Sequence, residues 1–337
     1  MVADTAAGRT KRLGAAASID GMTSLAWRRA TRAHRPLVVF AGLMGIAAVV
    51  AVIGIVADPR VLTGVPIWLK PFKFAVSFGA YSLTLAWMLS LLPRRSRLAE
   101  RAATVIVAMA AIEMVVIIGQ VVRGQTSHYN QTTPLNAALW QAMGTAIMVL
   151  FAAQFVVTVV LARRPLGDRV ATYGIRLGLG LSLLGLAAAI PMVLPSAAPG
   201  TPGIAGAHSV GVPDGGPGLP LVGWSTVGGD LRIGHFVGLH ALQVMPLLAL
   251  LLGRFASRLD SAVRARLMLV AGAAYGALTV LLTWQALRGQ PLLRPDALTV
   301  AAFGVLAVMT VAAATGVVRA GSAARAAAPR AHLGGTA

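Results

Sequence analysis

The chain has 337 residues, 57% hydrophobic and only 12% charged; soluble domains carry about 25% charged residues, so this is the composition of a polytopic membrane protein. Its net charge of +19 does not mark a nucleic-acid binder, because the arginines fall in short segments between apolar runs and leave no basic domain outside the bilayer. The absence of cysteine excludes disulfides, thiolate metal sites, cysteine nucleophiles and covalently attached c-type haem. Any metal or haem would have to use histidine, carboxylate or methionine.

Residues 1–35 are polar, carry seven basic residues and read as a cytoplasmic, disordered tail. The run Pro36–Val56 is too long for the apolar core of a signal peptide and reads as an uncleaved first span. Seven more runs approach the roughly 20 apolar residues that a bilayer requires. They are Pro71–Leu92, Ala102–Val122, Ala137–Ala162, Val170–Leu194, Leu231–Gly253, Leu267–Leu287 and Ala297–Val318. Between the fifth and sixth, residues 195–229 are rich in Gly, Pro and Ser and read as an irregular outer loop, a flexible lid. Residues 319–337 read as a second disordered cytoplasmic tail. Pro246 falls inside the sixth span, where it would break the helix at mid-membrane.

The expected fold is therefore all-α: a bundle of about eight transmembrane helices over residues 36–318, with both termini in the cytoplasm. The loop charges carry the orientation. With the N-terminus inside, 21 basic residues lie on the inner side and seven on the outer, with Arg176 inside a span. Trp68, Trp140, Trp224 and Trp284 then fall at the outer boundary and Trp87 near the inner one, where indole rings prefer to sit. Arg-Gly-Gln ends both the third span (123–125) and the seventh (288–290), as a parallel four-plus-four repeat would align them.

That topology sends three polar motifs to the outer side: WLKPFKF (68–74), QVVRGQTSHYN (120–130) and GDLRIGHFVGLHALQ (229–243). Polar groups inside a membrane are costly and mark sites. Two of the chain's three lysines, Lys70 and Lys73, open the second span, where the helix dipole disfavours cations. They snorkel to headgroups, pair with Glu113, Asp58 or Asp230, or hold an anionic ligand. Glu113 is the one carboxylate in the middle of a span and needs a partner or a proton. Gln120 shares its stripe at i+7, and His240 sits at a similar depth, so Glu113 and His240 form the candidate proton-transfer pair.

On the sixth span Arg232, His235, His240 and Gln243 share one polar arc, while Gly234 and Gly238 form a GxxxG for close packing. Asp230 is placed to cap it. His235 and His240, at i and i+5, cannot build a metal site alone; His128 would be the third imidazole of a metal or haem shell. Lys70, Lys73, Arg123, Arg232 and Gln243 are the candidate ligand-binding side chains. Neither His34 nor His208 is assigned a role.

The combination WLKPFKF, RGQTSHYN and LRIGHFVGLHALQVMPL resembles a group of bacterial multi-pass membrane proteins that has no established activity. The likeness covers roughly residues 69–287. It implies a fold type and a bacterial plasma membrane, and no chemistry. Three functions stay open: an outward-facing polar pocket for a small anionic or hydrophobic ligand, a metal or a redox cofactor, with or without enzymatic activity; a transporter or channel; or a structural subunit of a membrane complex.

Overall fold

A computed structural model describes residues 34–164, 168–194 and 202–327; of the tail read over residues 1–35, residues 1–33 lie outside it, while His34 and Arg35 cap and open the first helix. It is 72% helical. Among the described residues, eight helices are long and apolar enough to cross a membrane. They are α1 (Arg35–Ala57), α2 (Leu69–Ser90), α3 (Arg97–Val122), α4 (Pro134–Ala162), α5 (Arg169–Ala187, extended by a 3-10 turn at Ile190–Val193), α6 (Arg232–Phe255), α7 (Ser261–Leu287) and α8 (Ala297–Ala327). Four two-residue strands punctuate the loops: β1 (Val61–Leu62), β2 (Val65–Pro66), β3 (Ser209–Val210) and β4 (Gly229–Asp230).

The chain divides into two compact units. Among the described residues, the first holds 34–62, 66–128 and 138–164; the second holds 63–65, 129–137, 168–194 and 202–327. In the first, α2 packs on α1 and α3, and Val116, Ile117 and Met143 form a core with Phe74, Leu139 and Trp140 around it. In the second, α5, α6 and α7 pack on one another and α8 on α7. Its core is Val170, Ala241, Met245, Ala249, Ala265 and Met268.

Local chemistry fixes the helix starts. Pro36 sits in the first turn of α1, where its missing N–H costs nothing. Ser96 caps α3 by accepting from Ala99 N at 3.4 Å, and Asp168 caps α5 by accepting from Val170 N at 3.0 Å and Ala171 N at 3.1 Å.

The ends of α3 and α7 match bond for bond. Gly124 (φ +69°) and Gly289 (φ +73°) take the left-handed conformation, and each donates to the carbonyl three residues back, Val121 at 3.0 Å and Ala286 at 2.9 Å. The next residue donates five back, Gln125 to Gln120 at 2.8 Å and Gln290 to Gln285 at 3.3 Å. Both are Schellman caps that satisfy carbonyls otherwise orphaned at a helix end. Buried glutamines complete both: Gln120 Nε2 donates to Thr126 O at 3.1 Å and Gln285 Nε2 to Pro291 O at 2.8 Å.

Two expectations change. The last helix does not stop at Val318 but runs to Ala327, because alanine-rich sequence favours helix and Arg325 binds Asp260 at 3.0 Å and Arg258 O at 3.2 Å. Pro246 does not break α6, which is continuous from Arg232 to Phe255. Glycines of α5 let α6 approach at that turn; a Cβ on Gly178 would lie 3.0 Å from Ala241 O and 3.3 Å from Pro246 Cδ. The loop before α6 is irregular over most of its described part, as expected, and carries a few short pairings. There β3 pairs antiparallel with β4, Asn130 bridges Ile204, and Tyr129 O accepts from Ala205 N at 2.8 Å.

Candidate functional site

In the first unit the polar side chains gather where α1 ends, α2 begins and α3 ends. Asp58, just after α1, accepts from Arg60 Nε at 2.9 Å and Trp68 Nε1 at 2.8 Å. Those bonds, Arg60 first and Trp68 second, hold its carboxyl well below the usual range. Arg60 also reaches Val122 O at 3.4 Å, tying the α1–α2 hairpin to the end of α3.

Deeper in α3, Glu113 is 3% exposed. Its electrostatic partner is Lys70, in the first turn of α2. Lys70 and Lys73 are both half-buried. His128 lies between two aromatic rings, Phe74 and Trp140, each 5.7 Å away centre to centre, and its Nδ1 is 3.1 Å from Ser127 Oγ. Arg123 donates to Gln120 Oε1 at 2.6 Å, which gives it a structural task as part of the α3 cap.

In the second unit Asp230 is fully buried and heavily used. It accepts from Arg232 Nε at 2.9 Å, Arg232 N at 3.1 Å and Ser225 N at 2.8 Å; the cap position itself is held by Leu231, so Asp230 takes up the first N–H of α6 from one residue further out. Arg232 also donates to Gly223 O at 2.6 Å. The expected ligand-binding arginine is thus a brace between the loop and the helix. His235 is likewise committed. Where α5 ends, Ala189 N turns to Leu186 O rather than Gly185 O, and His235 Nδ1 donates to that orphaned Gly185 carbonyl at 2.7 Å. His240 packs its ring 4.3 Å from Phe236, and its Nδ1 donates to Gln243 Oε1 at 3.3 Å.

Among the described residues no group of three or more His, Asp or Glu side chains is gathered to hold a metal ion; His128 belongs to the first unit, His235 and His240 to the second. The ring of His235 completes a helix end. Glu113 lies in the first unit and His240 in the second.

Four residues escaped the sequence reading. His34 caps α1, with Nδ1 accepting from Leu37 N at 3.3 Å. Its Nε2 lies 3.0 Å from Glu100 O and 3.2 Å from Thr104 Oγ1. A histidine just before Arg-Pro at a helix start was the available signal. Tyr129, His208 and Asp214 form a second cluster. The Tyr129 ring meets the His208 ring at 5.0 Å, and His208 Nδ1 is 2.7 Å from Asp214 Oδ2. Asp214 also accepts from Ser209 N at 2.8 Å. Burial works to raise the Asp214 carboxyl, but these His208 and backbone bonds hold it well below the usual range. Burial pushes the Tyr129 phenol up, with the charge of Asp214 adding to it. Nothing in the composition of a Gly/Pro-rich loop announces that cluster.

Comparison with protein-family models, curated proteins and solved structures finds no match for this chain. The functional reading therefore rests on the site itself.

Proposed function

We propose that this multi-pass membrane protein binds a small ligand at Glu113 and Lys70 in its first unit. The carrying observation is Glu113, a carboxyl 3% exposed in the middle of an apolar helix, with Lys70 as its charge partner. Buried carboxyls are ordinarily hydrogen-bonded, because desolvation otherwise goes uncompensated. Lys70 answers the charge but leaves acceptor capacity on the two oxygens, which suits a ligand with a cationic or N–H/O–H donor group. The same unit holds His128 between Phe74 and Trp140 and a packed core of Val116, Ile117 and Met143, so a ligand with some apolar surface would meet compatible neighbours. The loop charge asymmetry favours an extracytoplasmic face for this end, in a bacterial plasma membrane.

Thermal-shift titration of detergent-purified protein with a panel of small amines, alcohols and amphiphilic amines tests it. At least one class should raise the melting midpoint of the wild type. Glu113→Gln should weaken that response by about tenfold or more, the loss expected for a charged hydrogen bond, and Lys73→Gln should leave it. A panel that shifts wild type and Glu113→Gln alike would remove Glu113 from the site.

A further inference from the structure

We propose that the opposite end of the first unit carries a binding site for the phosphate headgroup of an anionic phospholipid. A cleft of about 460 Å³ opens there between the N-terminal ends of α1 and α3. Four of its lining residues are arginines: Arg35, Arg95, Arg97 and Arg101. Glu100 is the one carboxylate among the lining residues, and it is paired with Arg95 at 3.3 Å. His34, also on the wall, is held neutral, because burial lowers its pKa and Nδ1 already accepts from Leu37 N. The walls therefore carry a net charge of +3.

The field of α3 acts in the same sense. Arg97 and Glu100 lie in its first turn, where the helix dipole attracts anions. Guanidinium groups match phosphate oxygens in planar, two-pronged hydrogen bonds. A cation cluster at a helix terminus on the arginine-rich side of a membrane protein is the setting in which acidic headgroups bind.

Two features favour a lipid over free phosphate. The α1 stripe that continues from Arg35 is apolar and exposed: Val39 53%, Leu43 53%, Ile46 63% and Val50 49%. Acyl chains of a lipid seated at Arg35 would lie along it. On the other flank of the α3 start, a second cleft of about 600 Å³ has apolar walls of Leu98, Phe155, Val156 and Val159, with Arg163 and Arg164 on its lining. Free phosphate would use neither apolar surface.

The test uses full-length protein in a neutral detergent, with phosphatidylglycerol, phosphatidylcholine and inorganic phosphate as probes. Native mass spectrometry counts retained lipid and thermal shift follows each titration. Phosphatidylglycerol should be retained and raise the melting midpoint, while phosphatidylcholine and phosphate at the same concentrations should not. Arg97→Gln with Arg101→Gln should weaken phosphatidylglycerol binding by about tenfold or more. Arg258→Gln with Arg266→Gln, which removes the same charge from the second unit, should leave it. Arg35→Gln serves if the first pair does not fold. Equal retention of both lipids, or equal loss in both double variants, would overturn the site. Phosphate that raises the midpoint and displaces the lipid would overturn the lipid assignment.

Discussion

His34 shows how one side chain can couple two helices to pH. Its Nδ1 accepts the Leu37 N–H that starts α1, and its Nε2 faces Glu100 O and Thr104 Oγ1 on α3. Those roles need a neutral ring, and burial lowers its pKa from the ordinary 6.5. The sign follows: below pH 6.5 the unfolded chain takes up a proton that the folded ring resists, so the unfolded state binds more protons and stability falls with pH. The melting midpoint of the wild type should decline between pH 7 and pH 5. His34→Asn, which keeps a capping side chain and loses the titration, should show a flatter profile over that range. Parallel profiles would mean that His34 does not titrate in this way. At the same scale, the sequence exposed Glu113 and Lys70 because a charge inside an apolar run stands out. It concealed the tasks of Arg232 and His235, whose partners are an aspartate two residues away and a carbonyl 50 residues away. Residue type announces capacity; the helix ends and loop folds that consume it are set by tertiary contacts.

At the scale of helices, α5 and α6 meet through glycine. A Cβ on Gly185 would lie 2.2 Å from Leu239 N, and one on Gly238 would lie 2.4 Å from Gly185 Cα. Gly234, the other member of the GxxxG, faces Thr283 of α7 instead, with Oγ1 2.1 Å from its virtual Cβ. The motif therefore serves two neighbours rather than one. Backbones this close gain dispersion contacts that a side chain would prevent. Gly185→Leu should destabilise the protein by about 1–3 kcal/mol or more and loosen the bond from His235, whereas Gly180→Leu on the same helix meets nothing within 4 Å and should be neutral. Unfolding in mixed detergent micelles compares the two; equal stability would place the contact elsewhere. The glycine spacing was legible in the sequence. The choice of partners was not, since it depends on helix rotations that periodicity leaves free. Likewise, Arg-Gly-Gln was visible twice, but the cap extends further, to Gln120 and Gln285 and their bonds to Thr126 O and Pro291 O. The two then part: Arg123 returns to Gln120, while Arg288 turns to Asp296 at 2.6 Å.

At the scale of the molecule, helix number was the most readable property, because about 20 apolar residues in a row have few other uses. All eight expected spans correspond to helices. Membrane sidedness remains a reading of the loop charges, and the native chain is suited to test it, having no cysteine. A cysteine at Leu221, which is 77% exposed in the loop before α6, should react with a membrane-impermeant maleimide in intact cells. One at Arg95, between α2 and α3, should react only after the membrane is opened. The reverse pattern would invert the protein and place the Glu113 end in the cytoplasm.

The link between α3 and α4 has a consequence for biosynthesis. Residues 129–137, which include the first turn of α4, belong to the second unit although the rest of α4 belongs to the first. Tyr129 O waits for Ala205 N, Gln131 N for Gly203 O, and the Tyr129 ring for His208. The ribosome makes those partners roughly 75 residues later, about 4–15 s at ordinary translation rates. Until then the segment has only water or its own side chains, such as the Asn130 turn onto Thr132 at 3.1 Å, to satisfy its backbone. Insertion of the early helices and closure of their connecting loop are thus separate events in time, with α5 made between them.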